Sequence, residues 1–149
     1  MIMRGVRAIL LADKGSAVRG LPLGLPLALI DVLGKSILQR TIDHLRAAGI
    51  EDVTVVADIK KSELLVRNGI ALQNAALVEA QGDVFTAAQS AFQTAAEDDA
   101  SPILLFRVNA YVELDVFQLL SHHSHFRNRI TRAWFGKEPI PLDVFVVNS

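Results

Sequence analysis

Residues Arg7–Leu45 read RAILLADKGSAVRGLPLGLPLALIDVLGKSILQRTIDHL, and the succession of patterns in this stretch decides the fold. Val6–Leu11 is a short apolar run closed by a polar, glycine-bearing stretch, which is the pattern of a buried strand followed by a loop. Ala12–Pro26 holds three glycines and two prolines, so it is a long loop, and a loop of that length in a compact domain usually carries function. Ala28–Val32 reads as a short extended segment ended by a Gly34-Lys35 turn. Ser36 then stands where a helix N-cap belongs. Behind it Ile37, Leu38, Ile42 and Leu45 fall at helical spacing, with Gln39, Arg40, Asp43 and Arg46 on the polar side. Gly49 is a natural stop for that helix.

The same alternation continues outward. Val53–Ala57 (VTVVA) is β-branched and predicts a strand, Ser62–Asn68 a short helix ended by Gly69, and Ala75–Ala80 a weak strand. Val84–Ala96 is an alanine-rich helix, Pro102–Val108 (PILLFRV) the next buried strand, and Asp115–Phe126 a helix capped by Asp115. Ile130–Phe135 and Leu142–Val147 are two late strands. Strands alternating with helices predict an α/β domain, with a mostly parallel sheet and helices on both faces. Val6–Leu11, Val53–Ala57 and Pro102–Val108 are its expected central strands. Ligands of such sheets bind beyond the carboxyl ends of the strands, so the loops after Leu11, Ala57 and Val108 are where a site is expected.

Composition narrows the function classes. The 149 residues suit one domain, 51% are hydrophobic and 21% charged, and the formal net charge is -1. That balance gives no reason to expect nucleic acid or an anionic membrane as partner. No apolar run approaches the ~18–20 residues of a membrane span. The chain has no cysteine, which removes disulfides, zinc–thiolate sites and thiol catalysis and agrees with a cytoplasmic location.

Several spaced motifs in order within Arg7–Ala57 resemble the sugar-phosphate nucleotidyltransferases of the glucose-1-phosphate thymidylyl- and uridylyltransferase type. Leu11-Ala12 ends the first strand, and Lys14-Gly15-Ser16 matches the glycine-and-hydroxyl step of the family loop. Pro22-Leu23, Leu25-Pro26, Ala28-Leu29-Ile30, Val32-Leu33-Gly34-Lys35 and Ile37-Leu38 follow in the family order, then Ala47-Ala48-Gly49-Ile50 and Val53–Val56. The resemblance implies a nucleotide-diphospho-sugar transferase-like, Rossmann-like fold. It also implies transfer of a nucleotidyl group to a sugar 1-phosphate with release of pyrophosphate, using magnesium if the chain is active. On this reading Ala12, Lys14, Gly15, Ser16, Arg19, Gly82 and Asp83 are the candidate nucleotide-binding residues, and Lys35 the candidate sugar-phosphate contact. The chain reads as one domain, 1–149, the amino-terminal part of a longer protein.

The departures from the family fall on its chemistry. Asp13 replaces the first glycine, Ala17 stands at the phosphate-binding arginine and Leu27 at the lysine. Val108-Asn109-Ala110 occupies the place of a metal-binding aspartate. Nucleotidyl transfer depends on cations that stabilise charge on the α-phosphate and the leaving pyrophosphate. A leucine supplies no charge, and a bare asparagine is a poor magnesium ligand. No catalytic residue or protein metal ligand is therefore assigned. The expected function is nucleotide or sugar-nucleotide binding in sugar-nucleotide or polysaccharide biosynthesis, with impaired catalysis: a pseudoenzyme. One alternative is an active transferase using Arg19 and Lys14 on the phosphates; another is a partner-docking module that binds no nucleotide.

Other features have plainer readings. His122 and His125 share a helix face, but no third ligand at helical spacing completes a zinc set, so a solvated helix end is expected. Arg127, Arg129 and Arg132 read as a polar strand edge, and Asp83 serves equally well as a helix cap. Trp134, Phe135, Phe145 and Val147 place apolar groups on the last strands, and a sheet ending there leaves unpaired amides. Self-association is the expected consequence; a strictly monomeric particle in light scattering at high concentration would count against it.

Overall fold

The computed structural model describes residues 5–14, 26–68, 72, 74–98, 101–137 and 140–148. In chain order the strands are β1 (Arg7–Ala12), β2 (Asp31–Val32), β3 (Lys35–Ser36), β4 (Asp52–Ala57), β5 (Ala76–Glu79), β6 (Ile103–Arg107), β7 (Ile130–Phe135) and β8 (Ile140–Val147). The α-helices are α1 (Ile37–Ala47), α2 (Lys61–Asn68), α3 (Val84–Asp98) and α4 (Val116–His125). The main sheet has the order β5-β4-β1-β6-β8-β7. Its first four strands run parallel, while β8 is antiparallel to both β6 and β7. The three strands expected at the centre stand together as β4, β1 and β6.

Period-two alternation in β1 explains the layers. Ala8, Leu10 and Ala12 face one core with Val53, Val55 and Ala57 of β4 and Leu104 and Phe106 of β6; α1, α2 and α4 close it through Leu38, Ile42, Leu45, Leu64, Val116 and Leu120. Ile9 and Leu11 face the other core with Val56 and Ile103, closed by α3 through Val84 and Ala88. The alanines of α3 let its backbone approach the sheet. β8 and β7 extend past this single helix, and Ile130 and Trp134 of β7 remain 62% and 57% exposed. Phe145 and Val147 are half-buried, and β7 forms the sheet edge.

Local chemistry sets the helix ends. The Ser36 hydroxyl accepts from the Gln39 amide at 3.0 Å, a cap of about 1 kcal/mol, and Gly49 leaves α1 at φ 90°, a conformation that favours glycine. The Asp83 carboxylate opens α3 by accepting from the Thr86 amide at 3.1 Å and its hydroxyl at 2.9 Å. Two expectations are corrected. Ala28 and Leu29 lie in a 3-10 turn, Leu27–Leu29, because Leu29 and Ile30 donate back to the carbonyls of Pro26 and Leu27. The turn expected at Gly34-Lys35 sits one residue earlier: Leu33 and Gly34, both at positive φ, join β2 to β3.

In the histidine run, His123 turns inward. It is 1% exposed, with Nδ1 2.8 Å from Thr131 Oγ1 and Nε2 2.8 Å from Asn148 Oδ1. Asn128 donates to the same Thr131 oxygen at 3.2 Å, and Asn148 donates to the Asn128 carbonyl at 2.9 Å. The imidazole thus ties α4 to β7 and to the segment after β8. His123→Ala removes both bonds and opens a cavity; ~2–4 kcal/mol of stability should be lost in denaturant unfolding, with little change for His122→Ala or His125→Ala.

The Asp83 cap carries a pH dependence. Its hydrogen bonds, that to the Thr86 hydroxyl foremost, hold the carboxyl below the ordinary aspartate value. A depressed folded value means the stabilisation is present above the unfolded pKa and is lost as the pH falls through the folded one. Amide exchange at Thr86 should therefore accelerate in that acidic window, and Asp83→Asn, which caps without titrating, should flatten the change.

Candidate functional site

At the carboxyl ends of β1 and β6, where a site is expected, the structure brings together side chains other than those named from sequence. Odd-numbered residues of β1 and β6 face α3, so Asp13, directly after β1, and Arg107, at the end of β6, project to the same side. Leu11 and Arg107 are partners in the β1–β6 register. The Arg107 guanidinium grips Asp13 with two bonds, Nε to Oδ1 at 3.1 Å and Nη2 to Oδ2 at 2.8 Å. Asp13 is only 9% exposed, and a carboxylate so covered requires a counter-charge.

The pairing continues across the sheet. Arg107 Nη1 lies 3.7 Å from Asp143 of β8, and Asp143 Oδ1 lies 3.2 Å from Nη2 of Arg132 on β7. Asn109 donates from Nδ2 to Asp143 Oδ2 at 3.0 Å, and Arg132 donates from Nε to the Leu142 carbonyl at 2.9 Å. Asp13, Arg107, Asp143 and Arg132 form a ladder of alternating charge over β1, β6, β8 and β7. The arginines lie against rings, Arg107 5.6 Å from the Phe85 centroid and Arg132 5.1 Å from that of Phe145, within cation–π range. The Asp13 hydrogen bonds raise the Arg107 guanidinium above its ordinary value against the opposing effect of burial.

Beneath the ladder lies a cleft of about 250 Å³, lined by Leu11 and Leu105 with Phe85 and Phe145 and rimmed by Arg107 and Asp143. Its apolar floor and convergent charged rim are the ordinary makeup of a small-molecule site.

The residues named from sequence distribute unevenly around this cleft. Gly15, Ser16 and Arg19 lie outside the described residues, as does Ala17. Ala12 is fully buried in the opposite core, leaving its backbone as its contribution. The Lys14 amide donates to Asp58 Oδ1 at 2.9 Å, which anchors the start of the long loop to the end of β4. The Asp83 carboxylate is committed to the α3 cap. A Cβ at Gly82 would meet nothing within 4 Å among the described residues, so no close approach demands glycine there. Lys35 stands on the separate β2–β3 hairpin, its ammonium 2.9 Å from Asp43 of α1.

The magnesium that the resemblance implies finds poor ligands here. The segment Val108-Asn109-Ala110, set against the family's metal aspartate by the resemblance, carries no carboxylate, and Asn109 is turned onto Asp143. The nearest carboxylates, Asp13 and Asp143, face one guanidinium. Among the described residues no group of three or more histidine, aspartate or glutamate side chains is placed to hold a metal ion. Sequence reading passed over Asp13, Arg107 and Asp143 as site residues. The available signal was a charge closing each of two apolar strands, VRAILLAD and ILLFR, since buried strands tolerate charges mainly in pairs.

No family model matches the chain, and no curated protein matches it in sequence. Solved structures match it in shape. HddC from Yersinia pseudotuberculosis aligns with a TM-score of 0.69 at 12% identity, over 95% of this chain and 76% of that one. The same protein complexed with GMP-PN aligns with the same values. A Bacillus anthracis protein assigned as a glucose-1-phosphate thymidylyltransferase, in complex with a sucrose, gives a TM-score of 0.71 at 8% identity, over 96% of this chain and 71% of that one. No helix among the described residues is long and apolar enough to cross a membrane. With identities this low the likeness is one of architecture, and the chain has the nucleotidyltransferase-type α/β fold that the motifs of Arg7–Ala57 resemble.

Proposed function

We propose that this chain is a nucleotide- or sugar-nucleotide-binding domain of nucleotidyltransferase fold, acting in the cytoplasm in sugar-nucleotide or polysaccharide biosynthesis, with catalysis impaired or lost. The observation that carries the reading is the cleft at the carboxyl end of β1 and β6. It combines an apolar floor with aromatic flanks for a planar ring, at the place where α/β sheets take their ligands. A protein of the same architecture is known in complex with GMP-PN, which supports a nucleotide as the ligand class.

The loss of catalysis follows from charge. Leu27 occupies the lysine position, its side chain half-buried and uncharged. The segment Val108-Asn109-Ala110 has no carboxylate where the family carries its metal aspartate. Arg107 gives two of its donors to Asp13 and faces Asp143 at 3.7 Å, so one guanidinium stands against the arginine, lysine and metal ion that the family chemistry uses. Phosphoryl and nucleotidyl transfer gain most of their acceleration from such cations, each worth ~100-fold or more.

The experiment is pyrophosphate release with magnesium and panels of nucleoside triphosphates and sugar 1-phosphates, run beside calorimetry with the same nucleotides. No turnover above background and measurable nucleotide binding are expected. Robust turnover abolished by Arg19→Ala would establish the active-transferase alternative, and silence in calorimetry would establish the docking alternative. Leu27→Lys combined with Ala17→Arg should tighten triphosphate binding by roughly tenfold or more, as each adds a charge-assisted contact.

A further inference from the structure

The misfit between this site and magnesium has a positive counterpart. A divalent ion is held by carboxylate and carbonyl oxygens at ~2.0–2.6 Å, and those oxygens must be free to turn toward it. Here both Oδ atoms of Asp13 accept from Arg107. Asp143 is held on one oxygen by Arg132 and on the other by Asn109, with Arg107 at 3.7 Å. The guanidinium stands between the two carboxylates, 2.8 Å from Asp13 and 3.7 Å from Asp143.

We propose that Arg107 is the built-in cation of this site, so that the cleft takes its nucleotide or sugar nucleotide without a divalent ion. The proposal rests on the nucleotide-binding reading above. Three features fit Arg107 for the role. Its orientation is fixed by the two-bond grip on a 9% exposed Asp13 and by the Phe85 ring beneath it. Its side chain is still 32% exposed, on the rim of the cleft. Of its five N–H donors two bind Asp13, and Nη1 stands beyond hydrogen-bond distance from Asp143, so donors remain for a phosphate or carbonyl oxygen of a ligand. A guanidinium cannot dissociate from the site as a metal can, and the cleft is ready for its ligand at any magnesium concentration.

The test is calorimetry of GTP, ATP, UTP and their diphosphates on the wild-type protein, once in EDTA and once in magnesium, together with manganese binding read by water-proton relaxation without nucleotide. Affinities equal within about twofold in the two buffers, and no relaxation enhancement by manganese, are expected. Arg107→Met should weaken metal-free binding by about tenfold or more; Arg107→Lys, which keeps a cation, should lie between. Wild-type affinity that falls tenfold or more in EDTA overturns the proposal, and so does manganese bound by the wild-type protein alone. Should no nucleotide bind in either buffer, the nucleotide-binding reading and this proposal fail together. Nucleotide binding that needs magnesium fails this proposal alone. The wild-type arms hold whatever the folding of the variants.

Discussion

Burial of β1 on both faces is the constraint from which the rest of this molecule follows. Five of its six residues are buried, three against α1, α2 and α4 and two against α3. A strand covered on both faces has to lie inside the sheet, and β4 and β6 complete its hydrogen bonding on either side in parallel register. Parallel neighbours carry their connections over the faces as helices, which is why the strands of this half end together. At the carboxyl end of β1 two charged side chains, Asp13 and Arg107, therefore converge with the start of α3.

That convergence creates an electrostatic problem with a specific solution. Asp13 follows the last buried residue of β1 so closely that it is itself almost covered, and an isolated ionised carboxylate in that position is costly. Arg107 resolves it because the β1–β6 register brings its stem beside Leu11 and its fork onto the Asp13 oxygens. The same guanidinium attracts Asp143, which in turn draws Arg132 back across β8. The chain of charges that starts at the end of a core strand thus crosses four strands of the sheet, and it leaves the mouth of the cleft polar but nearly balanced. A mouth of that kind suits a ligand recognised by shape, ring contacts and a few directed hydrogen bonds better than one captured by strong positive potential.

The far side of the sheet shows the opposite balance. With Arg132 folded back onto Asp143, the Leu142 carbonyl and the Phe145 ring, β7 presents Ile130 and Trp134 outward without a guarding charge. The inner face of β7 is fixed more firmly, through Ala133 in the core and through the hydrogen bonds that join Thr131, Asn128 and Asn148 to His123. The half of the molecule beyond β6 is thus held by this polar lock together with the apolar burial of Ala133, Val144 and Val146.

Most of the architecture was legible from local pattern. Near-continuous apolar runs in VRAILL, VTVVA and PILLFRV mark strands covered on both faces, helical spacing after Ser36 marks α1, and Ser36, Asp83 and Asp115 cap helices by chemistry confined to three or four residues. Such signals survive because they depend on neighbours along the chain. The 3-10 turn at Leu27–Leu29 and the one-residue shift of the hairpin turn escaped, since short turns are set by where the flanking chain must go. That Leu27 and the segment Val108-Asn109-Ala110 carry no charge could be read directly, because the absence of a charge needs no geometry. What only the tertiary structure decided is which charges meet. Asp13 and Arg107 are 94 residues apart and Arg107 and Asp143 are 36 apart, and no pattern in either segment names its partner; the register of β1, β6 and β8 does. The same holds for His123, whose place in the run HHSH looks equivalent to that of its neighbours until packing of α4 on β7 turns it inward. Sequence determines which residues are buried, capped or charged, through energies that act locally. Pairing among distant polar groups is decided by the backbone geometry that the buried strands impose.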